Sequence, residues 1–374
     1  MKWYAEGPFL REVVTSETSK ATRFYRVQPG QFIYNRLFAW KGSFGLVGRD
    51  LAGSYVSNEF PLFDCDRSRL LPEFLNLHFG QESVWSYVER VSTGTTASRS
   101  RWKESQFNDH KLALPSPAEQ RRIVDVMAAV DTQIEALNGE VEKSRYLLRC
   151  ALADHFGSVV GDECSIVELC SHVIGGIWGS PEGENEVDVL ALGPRIYAPA
   201  TAGFVTEGSP VRSFSLKQVE SRLVQPNDII LERSGGSPEQ PVGRVAIAGE
   251  GLSPCVPTDF QRLMRPNVDR ADPRYLFWRL QHDWNSGLTR TFSRRTTGIT
   301  NLSVKEYIAR EVPVPSREEQ NALVGVADIT DMSINAVKAE LDHLRTFRSA
   351  LLTALLSQEI EVPESYDALL EGVS

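Results

Sequence analysis

Arg290, Arg294, Arg295, Thr296, Thr297, Asn301 and Lys305 crowd into one short stretch of the chain. A second stretch of the same character holds Arg90, Thr95, Thr96, Arg99, Arg101 and Lys103. Arginine and lysine neutralise phosphates, and arginine also forks onto guanine O6 and N7. Asparagine pairs bidentately with adenine, and threonine reaches a phosphate or the thymine methyl. Two further clusters, Asn35, Arg36 and Lys41 in one and Arg233, Ser234 and Arg244 in the other, follow two copies of one strand-like run. Any one of these clusters is equally well an ordinary solvated loop. Their recurrence at equivalent places makes them candidates for nucleic-acid contact.

Groups arranged for covalent chemistry are missing from the sequence. There is no G-x-x-x-x-G-K-[ST], no G-x-G-x-x-G, no H-E-x-x-H and no Asn/Asp-Pro-Pro-aromatic run. The five cysteines (Cys65, Cys150, Cys164, Cys170, Cys255) form no C-x-x-C pair and have no matching histidine pair, so no metal site is expected and the thiols are expected to be reduced. "PNDIILER", from Pro226 to Arg233, faintly resembles a metal-dependent nuclease core, but the acid-x-Lys spacing is wrong. A turn into a buried strand is the simpler reading.

These loops must be held by something, and the chain repeats its own scaffold. "LPSPAEQRRIV" recurs as "VPSREEQNALV", so that Gln120 and Gln320 are equivalent. Each copy starts with a β-like run ending in prolines, "KLALPSP" and "REVPVPS", followed by a helix start. Ser116 and Ser316 precede Glu119 and Glu319 by three residues, the spacing of an N-terminal capping box. The apolar seam of the first helix reads Ile123, Met127, Val130, Ile134, Leu137, Val141, Ser144, Leu148, Ala151. That of the second reads Leu323, Ala327, Thr330, Ile334, Val337, Leu341, Leu344, Arg348, Leu351, Leu355. Steps alternating between four and three over several heptads predict two long helices with a coiled-coil seam, in which Ser144, Thr330 and Arg348 set the register.

Upstream, "RVQPGQFIYNR" parallels "LVQPNDIILER", and "LPEFL" parallels "DPRYL". The predicted organisation is a lobe over residues 1–115, a helix over 116–156, a second lobe over 157–312, a second helix over 313–357 and an acidic tail over 358–374. Short strand-like runs and two helix-like segments make each lobe α+β, mixed and strand-rich. The first lobe has no counterpart of residues 157–197: a start placed too late, a truncated lobe, or completion by another chain each account for this. The net charge of −9 comes from the helices and tail, and the lobes are near neutral with basic clusters, so nucleic acid stays an open partner. No stretch has the roughly 18 apolar residues of a membrane span, and the amino terminus does not read as a signal peptide. A cytoplasmic location is expected.

The duplicated P-x-x-x-E-Q between a strand-like run and a long helix, with "TTGITNLSVKEYIAREVPVP" before the second copy, resembles the specificity (S) subunits of type I restriction–modification systems. The resemblance covers nearly the whole chain. It implies that each lobe is a target-recognition domain reading one half of a bipartite double-stranded DNA sequence. It also implies that the helices pair antiparallel as a coiled-coil spacer, that two methyltransferase (M) subunits bind the scaffold, and that restriction (R) subunits join them. The S subunit itself would have no catalytic site and no cofactor. On this reading Arg36, Lys41, Arg99, Arg101, Lys103, Arg233, Ser234, Arg290, Arg294, Arg295, Thr296, Thr297 and Asn301 are the candidate DNA contacts. Ile123, Met127, Val130, Ile134, Leu137, Leu323, Ile334, Val337, Leu341 and Leu344 are the candidate pairing positions. The competing readings are a lone endonuclease or methyltransferase, a coiled-coil scaffold that binds no DNA, and a defective remnant of an S subunit.

Overall fold

A computed structural model describes residues 1–13, 23–94, 100–197, 204–237, 240–296 and 299–367. The chain divides into two compact units, Met1–Ala136 with Leu341–Ser374, and Leu137–Glu340. The elements of the first lobe are β1 (Phe24–Arg26), β2 (Phe32–Tyr34), β3 (Phe44–Leu46), β4 (Tyr55–Ser57), β5 (Leu62–Phe63), α1 (Pro72–Phe79), α2 (Glu82–Val91) and α3 (Glu104–Asn108), after which α4 runs from Pro117 to Ser158. Those of the second are β6 (Asp162–Ser165), β7 (Cys170–Gly175), β8 (Val187–Leu192), β9 (Val211–Phe214), α5 (Leu216–Glu220), β10 (Ile229–Glu232), β11 (Ser234–Gly235), β12 (Val245–Ile247), β13 (Cys255–Pro257), β14 (Gln261–Pro266), α6 (Pro273–Asn285), β15 (Ser293–Thr296), β16 (Ile299–Leu302), α7 (Val304–Ile308) and β17 (Glu311–Val314), followed by α8 from Arg317 to Leu356. No helix among the described residues is long and apolar enough to cross a membrane.

The repeated run upstream of each helix becomes the central strand of a sheet in each lobe. In the first lobe the order is β3-β2-β5, and in the second β12-β10-β14-β7. Both central strands are buried along their length, as a strand flanked on both sides requires. The first lobe fills its core with rings: Phe32, Tyr34, Phe44, Phe79 and Trp102 pack together, with Phe107 against them. The second lobe uses aliphatic residues at the matching level, Ile230, Leu263 and Leu192 among them.

One expected strand does not form. "REVPVPS" contains β17, paired antiparallel with β6 so that Val312 lies opposite Cys164. The equivalent "KLALPSP" forms no strand over Lys111–Leu114. A strand exists through its partner's hydrogen bonds, and β6 has no counterpart among the described residues of the first lobe.

The helix starts follow the sequence closely. Ser116 Oγ accepts from the Glu119 N–H, and around Ser316 the box closes in both directions, with the Ser316 N–H donating to the Glu319 carboxylate (3.1 Å). The duplicated glutamines are buried, Gln120 at 0 % and Gln320 at 2 % exposed, and each ties its helix to its lobe. Gln120 Oε1 accepts from the Leu71 N–H at the head of α1 (2.8 Å), while its Nε2 donates to the carbonyls of Arg69 (2.8 Å) and Pro115 (2.9 Å). Gln320 Oε1 accepts from the Asp272 N–H at the head of α6 (2.8 Å), and its Nε2 donates to the Pro315 carbonyl (2.9 Å). The N-terminal backbone donors of two helices are satisfied by one side-chain type at one place in each copy.

Within the first unit α4 and α8 pack antiparallel. Ile123 and Met127 cluster with Leu352 and Leu355, and Arg348 forks onto the Asp131 carboxylate, with Nη2 2.8 Å from Oδ2. Within the second unit the last turn of α4 (His155, Ser158) and the first turns of α8 (Glu319, Ala322, Leu323) line one cavity, so the direction is antiparallel there too. Ile123, Met127, Leu137, Leu323, Ile334 and Leu341 are buried, and Val130, Ile134, Val337 and Leu344 are half-buried. The seam departs from its expected course near both C-termini, where Leu152 and Leu352 are buried in place of Ala151 and Leu351. A straight helix drifts about 20° per heptad from a 3.5-residue repeat, so four heptads accumulate about 80°, close to the 100° of one residue. One extra residue resets the stripe.

Candidate nucleic-acid interface

In the second lobe the candidate residues gather on the small sheet β11-β16-β15. Ser234 lies opposite Asn301, and Asn301 lies opposite Arg294 on its other side, with Arg295 opposite Thr300. Ser234 is buried, and its hydroxyl donates to Asn301 Oδ1 at 2.6 Å. These two side chains brace the sheet, with one acceptor site of the Asn301 amide oxygen taken by the Ser234 hydroxyl. Arg295 on β15 and Arg290 in the preceding 3-10 turn Leu288–Phe292 are exposed, and neither has an acid partner among the described residues. Arg294 pairs with Glu306 at 2.9 Å, both well exposed, a contact worth at most about 1 kcal/mol and readily exchanged for a phosphate. Lys305 is exposed on α7. Thr296 is described in its backbone alone, and Thr297 lies outside the described residues.

Arg233 follows the central strand β10. Its backbone is held on both sides, its N–H by the Phe260 carbonyl (2.8 Å) and its own carbonyl by the Leu302 N–H (2.7 Å). Its half-buried guanidinium stands near that of Arg262, a residue the sequence reading passed over. Burial and then the Arg233 charge lower the Arg262 pKa, opposed by Asp259. Two like charges held together in a half-buried setting are costly in the free protein and favourable to an anion. Little in the sequence marks Arg262: along β14, "QRLMRP", it is half-buried between the buried Gln261 and Leu263, with no clean alternation to flag it. Gly175 lies beside this pair, where a Cβ would come within 3.2 Å of Arg262 Nη1.

The neighbouring acids are committed elsewhere. Glu232, buried, forks with Arg244 (2.6 and 3.0 Å), which also lies 4.7 Å from the Tyr197 ring. Asp228, also buried, forks with Arg265 (2.8 Å twice). Arg244 is thus a member of a structural ion pair. The "PNDIILER" acids each neutralise an arginine, which agrees with the turn-into-strand reading.

The first lobe treats its basic residues differently. Arg36, equivalent to Arg233, is paired with Glu104. Arg101 forks onto Glu59, 3.2 Å on both arms. Lys41 Nζ stands 3.9 Å from the Trp3 ring and 4.9 Å from that of Trp40, a cation–π seat. Asn35 is buried and caps the following turn through the Leu37 N–H. Lys103 and Arg90 remain exposed. Arg99, Thr95 and Thr96 lie outside the described residues. These ion pairs join residues 42 and 68 apart in the chain, which spacing alone does not reveal.

The duplicated lobe-and-helix build has solved counterparts. A chain of a type I restriction–modification system superposes with TM-score 0.57, covering 91 % of this chain and 85 % of that one at 18 % identity. The S subunit of the type I system from M. genitalium superposes with TM-score 0.52, covering 92 % of each chain at 16 % identity. The fold is that of a type I specificity subunit. Sequence similarity points the same way. The HindI specificity subunit of Haemophilus influenzae is 22 % identical over 118 residues, 32 % of this chain and 26 % of that protein. A protein described as the MjaX specificity subunit of Methanocaldococcus jannaschii is 19 % identical over 122 residues, 29 % of each. The chain thus matches between a quarter and a third of the length of these curated relatives, and no family model matches it. Within the specificity-subunit fold, the duplicated P-x-x-x-E-Q is the joint at which each glutamine bolts lobe to helix.

Proposed function

We propose that this chain is the DNA-specificity subunit of a type I restriction–modification complex. The lobes read the two parts of a bipartite duplex target, the helix pair sets the spacer between them, and two M subunits with R subunits assemble on this frame in the cytoplasm. The observation that carries the reading is the cationic face of the second lobe: Arg233, Arg262, Arg290 and Arg295 lie on or beside two braced sheets and are held in no ion pair among the described residues. Cations with such rigid backbone support suit phosphate positioning and guanine reading. The acidic helices suit protein partners better than DNA. In this reading the chain supplies recognition, while methyl transfer and cleavage, with their S-adenosylmethionine, ATP and magnesium, belong to the partners.

The test is co-expression with a partner M subunit and genome-wide mapping of methylated bases. A two-part motif with a fixed, unread spacer is the expected outcome. A continuous motif, or no methylation from an assembled and soluble complex, would contradict the proposal.

A further inference from the structure

Arg233 and Arg262 have a third companion. Arg222, in the turn after α5, donates through Nε to the Gly175 carbonyl (2.8 Å) and through Nη1 to the Ser221 hydroxyl (2.8 Å). Gly175 ends β7, and the register of β7 on β14 sets it opposite Arg262. Because the glycine has no side chain, the Arg262 guanidinium lies against its backbone: a Cβ there would meet Nη1, Cζ and Nε at 3.2, 3.3 and 3.6 Å. Arg262 Nη1 is further fixed by the Gln261 carbonyl (2.8 Å). On its other side Arg262 lies opposite Leu231, two residues before Arg233. After burial itself, the Arg233 charge is the main influence lowering the Arg262 pKa, so the two guanidinium groups are neighbours.

All three arginines are half-buried, and none is held in an ion pair among the described residues. Asp259, exposed in the turn before β14, is the acid that acts on Arg262. One exposed carboxylate against three guanidinium groups leaves the spot cationic. Arg244 and Arg265, by contrast, each fork onto a buried acid.

Burial also decides what these cations can reach. An arginine that reads guanine extends into the major groove. Arg290 and Arg295 are exposed and have that freedom. A guanidinium tied back to a main-chain carbonyl, as in Arg222 and Arg262, meets only a group brought to the protein surface. On a duplex, that group is a backbone phosphate.

We propose that Arg222, Arg233 and Arg262, gathered around Gly175, form a binding site for one phosphate group, which in the function proposed above is a phosphate of the DNA backbone. The site fixes the register of the second lobe on the duplex and reads no base. Its assignment to DNA rests on that function; its affinity for a phosphate group does not.

The first probe is inorganic phosphate, added to the intact chain at constant ionic strength and followed by thermal unfolding. A saturable rise in Tm of about 2 °C is expected at ten times the Kd. Arg233→Gln removes a side chain that makes no hydrogen bond among the described residues, and is expected to weaken the phosphate effect severalfold without lowering the Tm of the phosphate-free protein. Arg233→Gln with Arg262→Gln is expected to abolish it. A phosphate effect equal in the parent and the double variant, or none in either, would overturn the site. The second probe is duplex DNA, bound by the complex with its M partner. Arg262→Gln is expected to weaken target and non-target duplexes alike, about fivefold, to lower the salt slope by about 0.9, and to leave the methylated motif unchanged. A motif relaxed at one position by Arg262→Gln would overturn the assignment to phosphate. A complex that binds no duplex, with the phosphate effect intact, would defeat the DNA-reading function and leave the anion site standing.

Discussion

The two lobes share a backbone plan and spend their charges differently. In the first, Arg36 and Arg101 are each held by a glutamate, and His78 and His110 face each other with Nε2 atoms 2.8 Å apart. In the second, Arg233 is unpaired among the described residues, and Arg279 and Arg310 occupy the places of the two histidines. Asp283, 1 % exposed, lies between those arginines and also accepts from the Tyr307 hydroxyl (3.0 Å). The same scaffold position is a neutral imidazole contact in one copy and an ion triad around a buried acid in the other. Duplicated structure therefore does not imply duplicated electrostatics: the second lobe leaves Arg233 without an acid partner among the described residues where the first pairs the equivalent Arg36 with Glu104.

The largest effect is expected from the triad. Asp283→Ala leaves two half-buried arginines without their shared acid and is expected to cost about 3 kcal/mol, the low end for a broken buried pair. Denaturant unfolding measures it, and an unchanged midpoint would contradict the role assigned to Asp283.

Acid should act on the first lobe through its histidines. Burial, and then the neighbouring His110, push the His78 pKa down from 6.5 to about 4, and burial pushes His110 the same way. The unfolded chain takes up these protons first. Stability from His78 is therefore intact above about pH 6.5 and is lost as the pH falls toward 4, to a limit of about 3 kcal/mol. His155 and His282 in the second unit are lowered by burial as well, so the discriminating readout is His78→Gln. That variant should flatten the fall between these pH values, and a parallel curve would dismiss the pair as its source.

The glutamine bolts give the next contrast. Gln120→Ala strands three backbone groups, two of them buried, and Gln320→Ala two, one of them buried, so losses of about 3 and about 2 kcal/mol are expected by thermal or denaturant unfolding. Equal losses would show that the extra bond to the Arg69 carbonyl contributes nothing.

The smallest effect separates the two surfaces. In the assembled complex, Arg295→Ala is expected to weaken DNA binding severalfold and to lower the salt slope by about 0.9. Arg36→Ala should stay within about twofold, since a charge held by a neighbouring glutamate has little left to offer a phosphate. Equal effects would erase the distinction drawn between the lobes.

Much of this was legible in the residues. Both helices followed from their heptad steps and capping boxes, because a helix satisfies its hydrogen bonds locally and its period shows in sequence. The strand expected at Lys111–Leu114 failed because a strand needs a partner from elsewhere, and composition alone does not show whether one is present. The roles of Gln120 and Gln320 were visible as repetition but not as function, since their partners lie 48 to 51 residues away. The candidate site was legible as a basic surface and illegible in detail. Ser234 and Asn301 brace the sheet, Arg244 is the partner of the buried Glu232, and Arg262 emerged only when the strands were assembled.

The central claim is that two lobes read and two helices measure. Removing one heptad from each of α4 and α8, then mapping methylation by the complex with its M partner, tests it most directly. Seven residues span about 10 Å, close to three base pairs. The account predicts the same bases on either side of a shorter spacer. An unchanged spacer in an active complex, or altered bases at constant spacing, would contradict it.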